Sequence, residues 1–296
     1  MKRVLLTSNF GEADFLLGLL SRQSPNLINR IYKDLIFVNP NREYDYAICF
    51  NSTSLSLRTP KERNIAFIME TPEIWSNNEI SNLRNMGKVF VVTPDHINLV
   101  SPKGILDKMA VFYHLPVIWE RDLIPLEKKT NKISMIVSDK QSTPFQKKRY
   151  QLYQALIKTT LPIHFYGRNQ QPSKDPRFKG ALPNLNKTEG LKSYSYSIAL
   201  ENTDCLNCIS EKFYDCILAN CIPITNAPGS RQFFPGVSFY LDFTKSVNQL
   251  VIEIENIINT PINIGLYEQS LKRLRASLIE GKLSLIERIR ESIISK

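Results

Sequence analysis

The chain has 296 residues, 43% of them hydrophobic and 22% charged, enough for two domains with substantial cores. Its 38 Lys and Arg against 28 Asp and Glu leave a net charge of +10, which suits an anionic partner: nucleic acid, an acidic membrane face or a sugar nucleotide. No apolar run is long enough to span a bilayer, and five cysteines, an odd number, argue against a secreted disulfide framework.

In chain order, "KRVLLTS" predicts a first strand, and its three apolar residues are too few for a signal-peptide core. A cytoplasmic location is therefore expected. The helix-like "EADFLLGLLSRQ" follows, then strand candidates "DLIFVN", "YDYAICFN", "RNIAFIME" and "KVFVVTPD". Short apolar runs alternating with helical stretches point to parallel α/β units, whose ligands collect at the carboxyl ends of strands. Glu70, in "FIMETPEIW", stands at such an end.

Two prolines and a charge run between residues 116 and 132 read as an interdomain linker, narrowed to 121–132 between a first domain over 1–120 and a second over 133–265. The second series comprises "ISMIVSD", the basic helix "PFQKKRYQLYQALIK", "PIHFYG", a polar loop from Arg168 to about Lys187, "YSIALEN", a helix from about Ser210 to Asn220, "CIPIT" and "VSFYLDF". In residues 266–296, Leu271, Leu274, Leu278, Leu285, Ile286, Ile289 and Ile293 fall near helical spacing. They predict an amphipathic helix, interrupted or kinked at Gly281, that packs across the domains or lies against anionic lipid.

The polar residues gather between 194 and 243. Glu201 and Asn202 follow directly on a buried strand, where they either recognise a polar ligand or brace a loop. Ser210 is a natural helix N-cap with Glu211 and Lys212 in the first turn. A lysine there opposes the helix dipole unless an anion sits at the N-terminus; a solvated first turn is the plain alternative. Cys205, Cys208, Cys216 and Cys221 have the spacing C-x2-C-x7-C-x4-C, but Cys216 and Cys221 fall among apolar residues, so packing is expected rather than zinc.

No Walker loop, Gly-x-Gly-x-x-Gly or Gly-x-Ser-x-Gly occurs, which argues against an ATPase, a dehydrogenase and a serine hydrolase. His164 lies within a strand and reads as packed. Lys147, Lys148, Arg149 and Tyr150 could form a patch for nucleic acid, a solvated helix face, or, through Arg149 alone, an inward contact to a diphosphate.

The segment "YSYSIALENT…CISEKFYDCILANCIPITNAPGSRQFFPGVSFYLDF" resembles the signature of glycosyltransferase family 10, the α1,3/4-fucosyltransferases. "FIMETP" and "ISMIVSD…KKRYQLYQALIK…IHFYGR" resemble upstream motifs of that family, and together the likeness spans roughly residues 60 to 245. The resemblance implies the GT-B architecture: two Rossmann-like α/β domains facing across a cleft, nucleotide in the C-terminal one. It implies inverting transfer of fucose from GDP-fucose to a sugar hydroxyl of a surface glycan, lipopolysaccharide or capsule, without a metal. Glu70 would be the general base, Glu211 would bind ribose, and Lys212 with Arg149 (or Arg168) would contact the diphosphate. Glu201, Asn202 and Ser210 would line the donor site. Cys208 departs from the pattern, since the family has a nucleotide-contacting Tyr there. That leaves another nucleotide-sugar donor or a non-catalytic relative as alternatives, with a nucleic-acid-binding protein behind both. The resemblance leaves acceptor and oligomeric state open.

Overall fold

The computed structural model describes residues 1–69, 83–91, 106–109, 123–168, 175–183, 186–205 and 208–294. The chain divides into two compact units, residues 1–115 with 276–296 and residues 116–275. Each is an α/β unit built on one sheet.

The first sheet comprises β1 (Lys2–Ser8), β2 (Ile31–Tyr32), β3 (Leu35–Val38), β4 (Tyr46–Phe50), β5 (Asn64–Phe67), β6 (Lys88–Val91) and β7 (Leu106–Met109), in the order β2-β3-β1-β4-β5-β6-β7. All pairings are parallel except that of β2 with β3. Parallel strands covered on both faces read as continuous apolar runs, and Val4, Leu5, Leu6, Ile48, Cys49, Phe50, Ile65 and Phe67 are all buried. Helix α1 (Ala13–Gln23) follows β1, with Leu16, Leu19 and Leu20 turned into the core.

The second sheet comprises β8 (Asn131–Val137), β9 (Ile163–Gly167), β10 (Tyr194–Ile198), β11 (Ile222–Thr225) and β12 (Phe239–Tyr240), in the order β12-β11-β10-β8-β9. Every pairing is parallel. Its helices are α2 (Pro144–Leu156), α3 (Thr188–Leu191), α4 (Glu211–Leu218), α5 (Pro228–Phe233) and α6 (Val247–Asn259). The chain runs from β8 to β9 on one side and then to β10 on the other, so the strand order reverses between β8 and β10. Ligands of open α/β sheets bind outside the carboxyl ends at such a reversal.

Residues 123–130, expected in part as linker, are built into the second unit. The Leu126 N–H donates to Glu268 Oε1 at 3.3 Å, and Lys129 Nζ donates to the carbonyls of Lys192 and Ala219 at 2.9 and 3.0 Å. An ammonium on the last carbonyls of α4 also complements that helix's dipole.

The expected C-terminal helix is two helices, α7 (Ile264–Ile279) and α8 (Leu285–Ile294). The break falls at Gly281, where a Cβ would come within 2.7 Å of Ser277 Cα, too close for any other residue without displacing the backbone. The boundary between the units lies within α7, after Arg275. Leu285, Ile286, Ile289 and Ile293 of α8 are buried in the core of the first unit beside Leu16, Leu35 and Phe37. Tyr32 and Lys33 both bind Glu287, and Arg290 pairs with Asp34. No helix among the described residues is long and apolar enough to cross a membrane.

Candidate functional site

The carboxyl edge of the second sheet gathers most of the polar residues singled out in the sequence. Beyond β10 the chain continues through Ala199 and Leu200 to Glu201, which is 3% exposed. Its backbone is clamped by Asn226, just past β11: Glu201 N–H donates to Asn226 Oδ1 at 2.6 Å, and Asn226 Nδ2 donates back to the Glu201 carbonyl at 3.5 Å. The Glu201 carboxylate is held equally firmly. Oε1 accepts the Ser210 N–H at 2.8 Å, while Oε2 accepts the Ser210 hydroxyl at 2.5 Å and lies 3.3 Å from Lys212 Nζ. Glu201 is thus a buried brace, fixing the residue that starts α4.

Ser210 caps α4 as its residue type predicts, accepting the Lys212 N–H at 3.3 Å. The Lys212 ammonium folds back over this cap, donating to Ser210 Oγ at 2.8 Å and lying 3.4 Å from Glu211 Oε1. It does not point away into an open first turn. Burial opposes its charge, but Glu201 and Glu211 outweigh that cost, so its pKa is raised and it stays protonated.

Arg149 reaches the same edge from α2. That helix starts at a capping box, Thr143 with Gln146, and has Pro144 in its first turn. Its buried stripe is Gln146, Arg149, Leu152, Tyr153 and Leu156, so the guanidinium points inward. Arg149 Nη1 donates to Asn202 Oδ1 at 2.8 Å, and its buried Nε has no partner among the described residues. Burial lowers its pKa, an effect that Glu201 and Glu211 partly offset. Consecutive helical residues point about 100° apart, and the basic run is divided accordingly. Lys147 is exposed, Lys148 Nζ donates to the Phe243 carbonyl at 2.5 Å, and Arg149 is buried. The contiguous stripe that nucleic acid would need is absent from this helix.

Cys208 is buried just before the cap, with its N–H donating to the Cys205 carbonyl at 3.1 Å. Cys216 and Cys221 pack with Tyr166, Leu191, Tyr194 and Ala219, as expected of small core residues. Among the described residues no group of three or more His, Cys, Asp or Glu could hold a metal ion. His164 lies on β9 and pairs through Nδ1 with the Tyr194 hydroxyl at 2.8 Å. Arg168 directly follows β9, exposed, on the same sheet edge but two strands from β10. Glu70 lies outside the described residues.

Sequence reasoning missed Lys187 and Asp215. Lys187 Nζ donates to Asp215 Oδ2 at 2.7 Å and lies 3.6 Å from Glu211 Oε1. Burial disfavours this ammonium, yet Asp215 and Glu211 raise its pKa. Asp215 was detectable as the lone carboxylate in the buried run "FYDCIL". Lys187 gave no signal, being 28 residues away in sequence.

Residues 126–260 match the family described as glycosyltransferase family 10 (fucosyltransferase) C-term, a span that contains every described residue of this edge. A fucosyltransferase-like protein of Arabidopsis thaliana is 25% identical over 221 residues, covering 72% of this chain and 38% of that protein. The chain therefore spans well under half the length of this curated relative. An alpha1,3-fucosyltransferase, solved alone and with GDP, is 15% identical with a TM-score of 0.53 in both structures, covering 99% of this chain and 90% of that one. A DNA-modifying β-glucosyltransferase is 12% identical with a TM-score of 0.56, over 98% and 99% of the two chains. These likenesses show the fold alone: two α/β units, each on a mainly parallel sheet, as in the GT-B architecture.

Proposed function

We propose that this protein is an inverting glycosyltransferase that moves fucose from GDP-fucose to a sugar hydroxyl, with the nucleotide bound at the carboxyl edge of the second sheet. One observation carries the reading: Arg149, buried and with its Nε unpartnered, reaches Asn202 just past β10, inside the family-matched segment. A buried cationic donor lacking a partner is costly unless a ligand completes it. A diphosphate offers the matching acceptors, and a planar guanidinium suits them.

In this reading Glu211 accepts the ribose hydroxyls, while Lys212 and Arg149 contact the diphosphate. Glu201 acts behind them, through Ser210 and Lys212, and Asn202 orients Arg149. Glu70 takes the proton from the acceptor hydroxyl as its oxygen attacks the anomeric carbon. The bond from that carbon to the diphosphate breaks, and GDP departs with the electron pair. The two cations steady the charge that develops on the leaving group. No metal is needed for that step if they supply it, so chelator treatment should leave the rate unchanged. The acceptor in this reading is a surface glycan or lipopolysaccharide. The enzyme works in the cytoplasm, with peripheral contact to the anionic inner membrane face as an option where the acceptor is lipid-linked.

The test is a calorimetric titration with GDP, GDP-fucose, GDP-mannose, UDP-glucose and UDP-N-acetylglucosamine, repeated on Lys212→Ala. Binding of GDP and GDP-fucose that the variant loses is the expected result. Binding of a UDP-sugar alone would keep the fold and replace the donor. Silence from all five would make the chain a non-catalytic relative.

A further inference from the structure

We infer that Lys187 is a positioning residue for the nucleotide site, holding the Glu211 carboxylate where it can take the vicinal hydroxyls of a nucleoside diphosphate. The inference rests on the reading of Glu211 and Lys212 as donor contacts.

Glu211 and Asp215 are one helical turn apart on α4, at i and i+4, so their side chains share a face. Lys187, immediately before α3, lies across both. Its ammonium donates to the fully buried Asp215 and reaches Glu211 Oε1. Lys212 Nζ also approaches that same Oε1, at 3.4 Å. The carboxylate is therefore held between two ammonium groups, each anchored by a buried acid of its own: Asp215 for Lys187, Glu201 for Lys212. A carboxylate offers only hydrogen-bond acceptors, the chemistry that binds a diol. Without Lys187, Glu211 loses one of its two ammonium contacts, and Lys212, a cation meant for phosphate, is drawn toward it.

A purely structural Lys187 would neutralise Asp215 and do nothing more, and the two roles separate by experiment. Lys187→Met strands the Asp215 charge, whereas Lys187→Met/Asp215→Asn removes both charges and relieves that penalty. Thermal unfolding and calorimetric titration with GDP and 2′-deoxy-GDP are measured for each. The single variant is expected to melt lower and to bind GDP at least tenfold more weakly. The double variant is expected to regain its melting temperature but not its affinity, and to discriminate less between the two nucleotides. GDP affinity that returns together with the melting temperature overturns the inference. If the double variant does not fold, Lys187→Gln, which keeps a donor for Asp215 without the charge, decides. Weakened GDP binding supports positioning, and wild-type binding overturns it. Glu211→Gln separates the two levels of argument. Unchanged GDP binding in that variant removes the donor-site reading itself, whereas weakened binding alongside a normal Lys187→Gln removes only the role of Lys187.

Discussion

Among the described residues, the carboxyl edges of the two units differ in their chemistry. In the second, the edge where strand order reverses carries Arg149, Lys187 and Lys212 against Glu201, Glu211 and Asp215. In the first, strand order also reverses, between β1 and β4, and the hydrogen-bonded side chains described near that reversal are hydroxyls and an amide. Thr7 Oγ1 and Thr53 Oγ1 lie 2.6 Å apart, Ser8 Oγ accepts the Gly11 N–H at 2.8 Å, and Asn51 Oδ1 accepts the Met69 N–H at 2.7 Å. Phosphate chemistry needs the first kind of edge, and a neutral polyhydroxyl substrate is content with the second. Under the proposed function, the charged edge would take the donor and the first unit would take the acceptor.

That contrast is broken most severely by removing the one acid proposed to work from the first unit. Glu70→Gln should lower kcat by about a hundredfold to ten-thousandfold, the usual worth of a general base, with GDP affinity unchanged. A variant that instead lost GDP binding would place the residue with the charged edge and end the division of labour. Next in size is Arg149→Ala. Losing charge-assisted hydrogen bonds worth about 1.5–3 kcal/mol should weaken GDP binding by roughly ten- to a hundredfold, read by titration. Arg149→Lys should not restore it, because an ammonium lacks the planar fork. Recovery by lysine would mean that Arg149 supplies charge alone.

How much of this was legible beforehand follows from how local each signal is. β1, β4, β8, β9, β10 and β11 appear in the sequence as apolar runs because parallel strands are buried on both faces. The Ser210 cap needed only its own helix to be recognised. Helix α6 was overlooked although Ser246 and Gln249 form a capping box at its start, and β7, "LDKM", has no apolar pattern to see. Arg149 could have been assigned inward from spacing alone, since it falls three residues after Gln146 and three before Leu152 on the buried stripe. The Lys187 pair and the Asn226 clamp join residues 28 and 25 positions apart. Nothing local encodes such contacts; they exist only once strand order brings the loops together.

The first unit has its own weak point beside β4, and a smaller effect is expected there. Asn51 is buried with φ 62°, in the left-handed region that asparagine tolerates better than most residues. Its N–H donates to the Phe67 carbonyl at 2.9 Å while its side chain takes the Met69 N–H, so it grips both sides of the chain leaving β5. Asn51→Ala combines backbone strain of about 1–2 kcal/mol with an orphaned N–H. Asn51→Gly removes the strain but still loses the Met69 hydrogen bond, so it should unfold at a higher denaturant concentration than the alanine variant. Equal midpoints would show that the left-handed turn is not a constraint.

The smallest effect is in the docking of α8, and it has a definite sign with pH. Glu287 is partly desolvated, which favours protonation, but Lys33, Tyr32 and Arg290 outweigh this and hold its pKa below the ordinary value of 4.5. A carboxylate whose folded pKa is depressed contributes stability above its unfolded pKa and loses it as pH falls through the folded value. The first unit should therefore weaken at pH below about 4.5, and Glu287→Gln should be less stable at neutral pH with a flatter acid limb. The second unit binds none of these groups, so its acid unfolding should be the same in both proteins. A shift in both units would mean that α8 stabilises more than the sheet it covers.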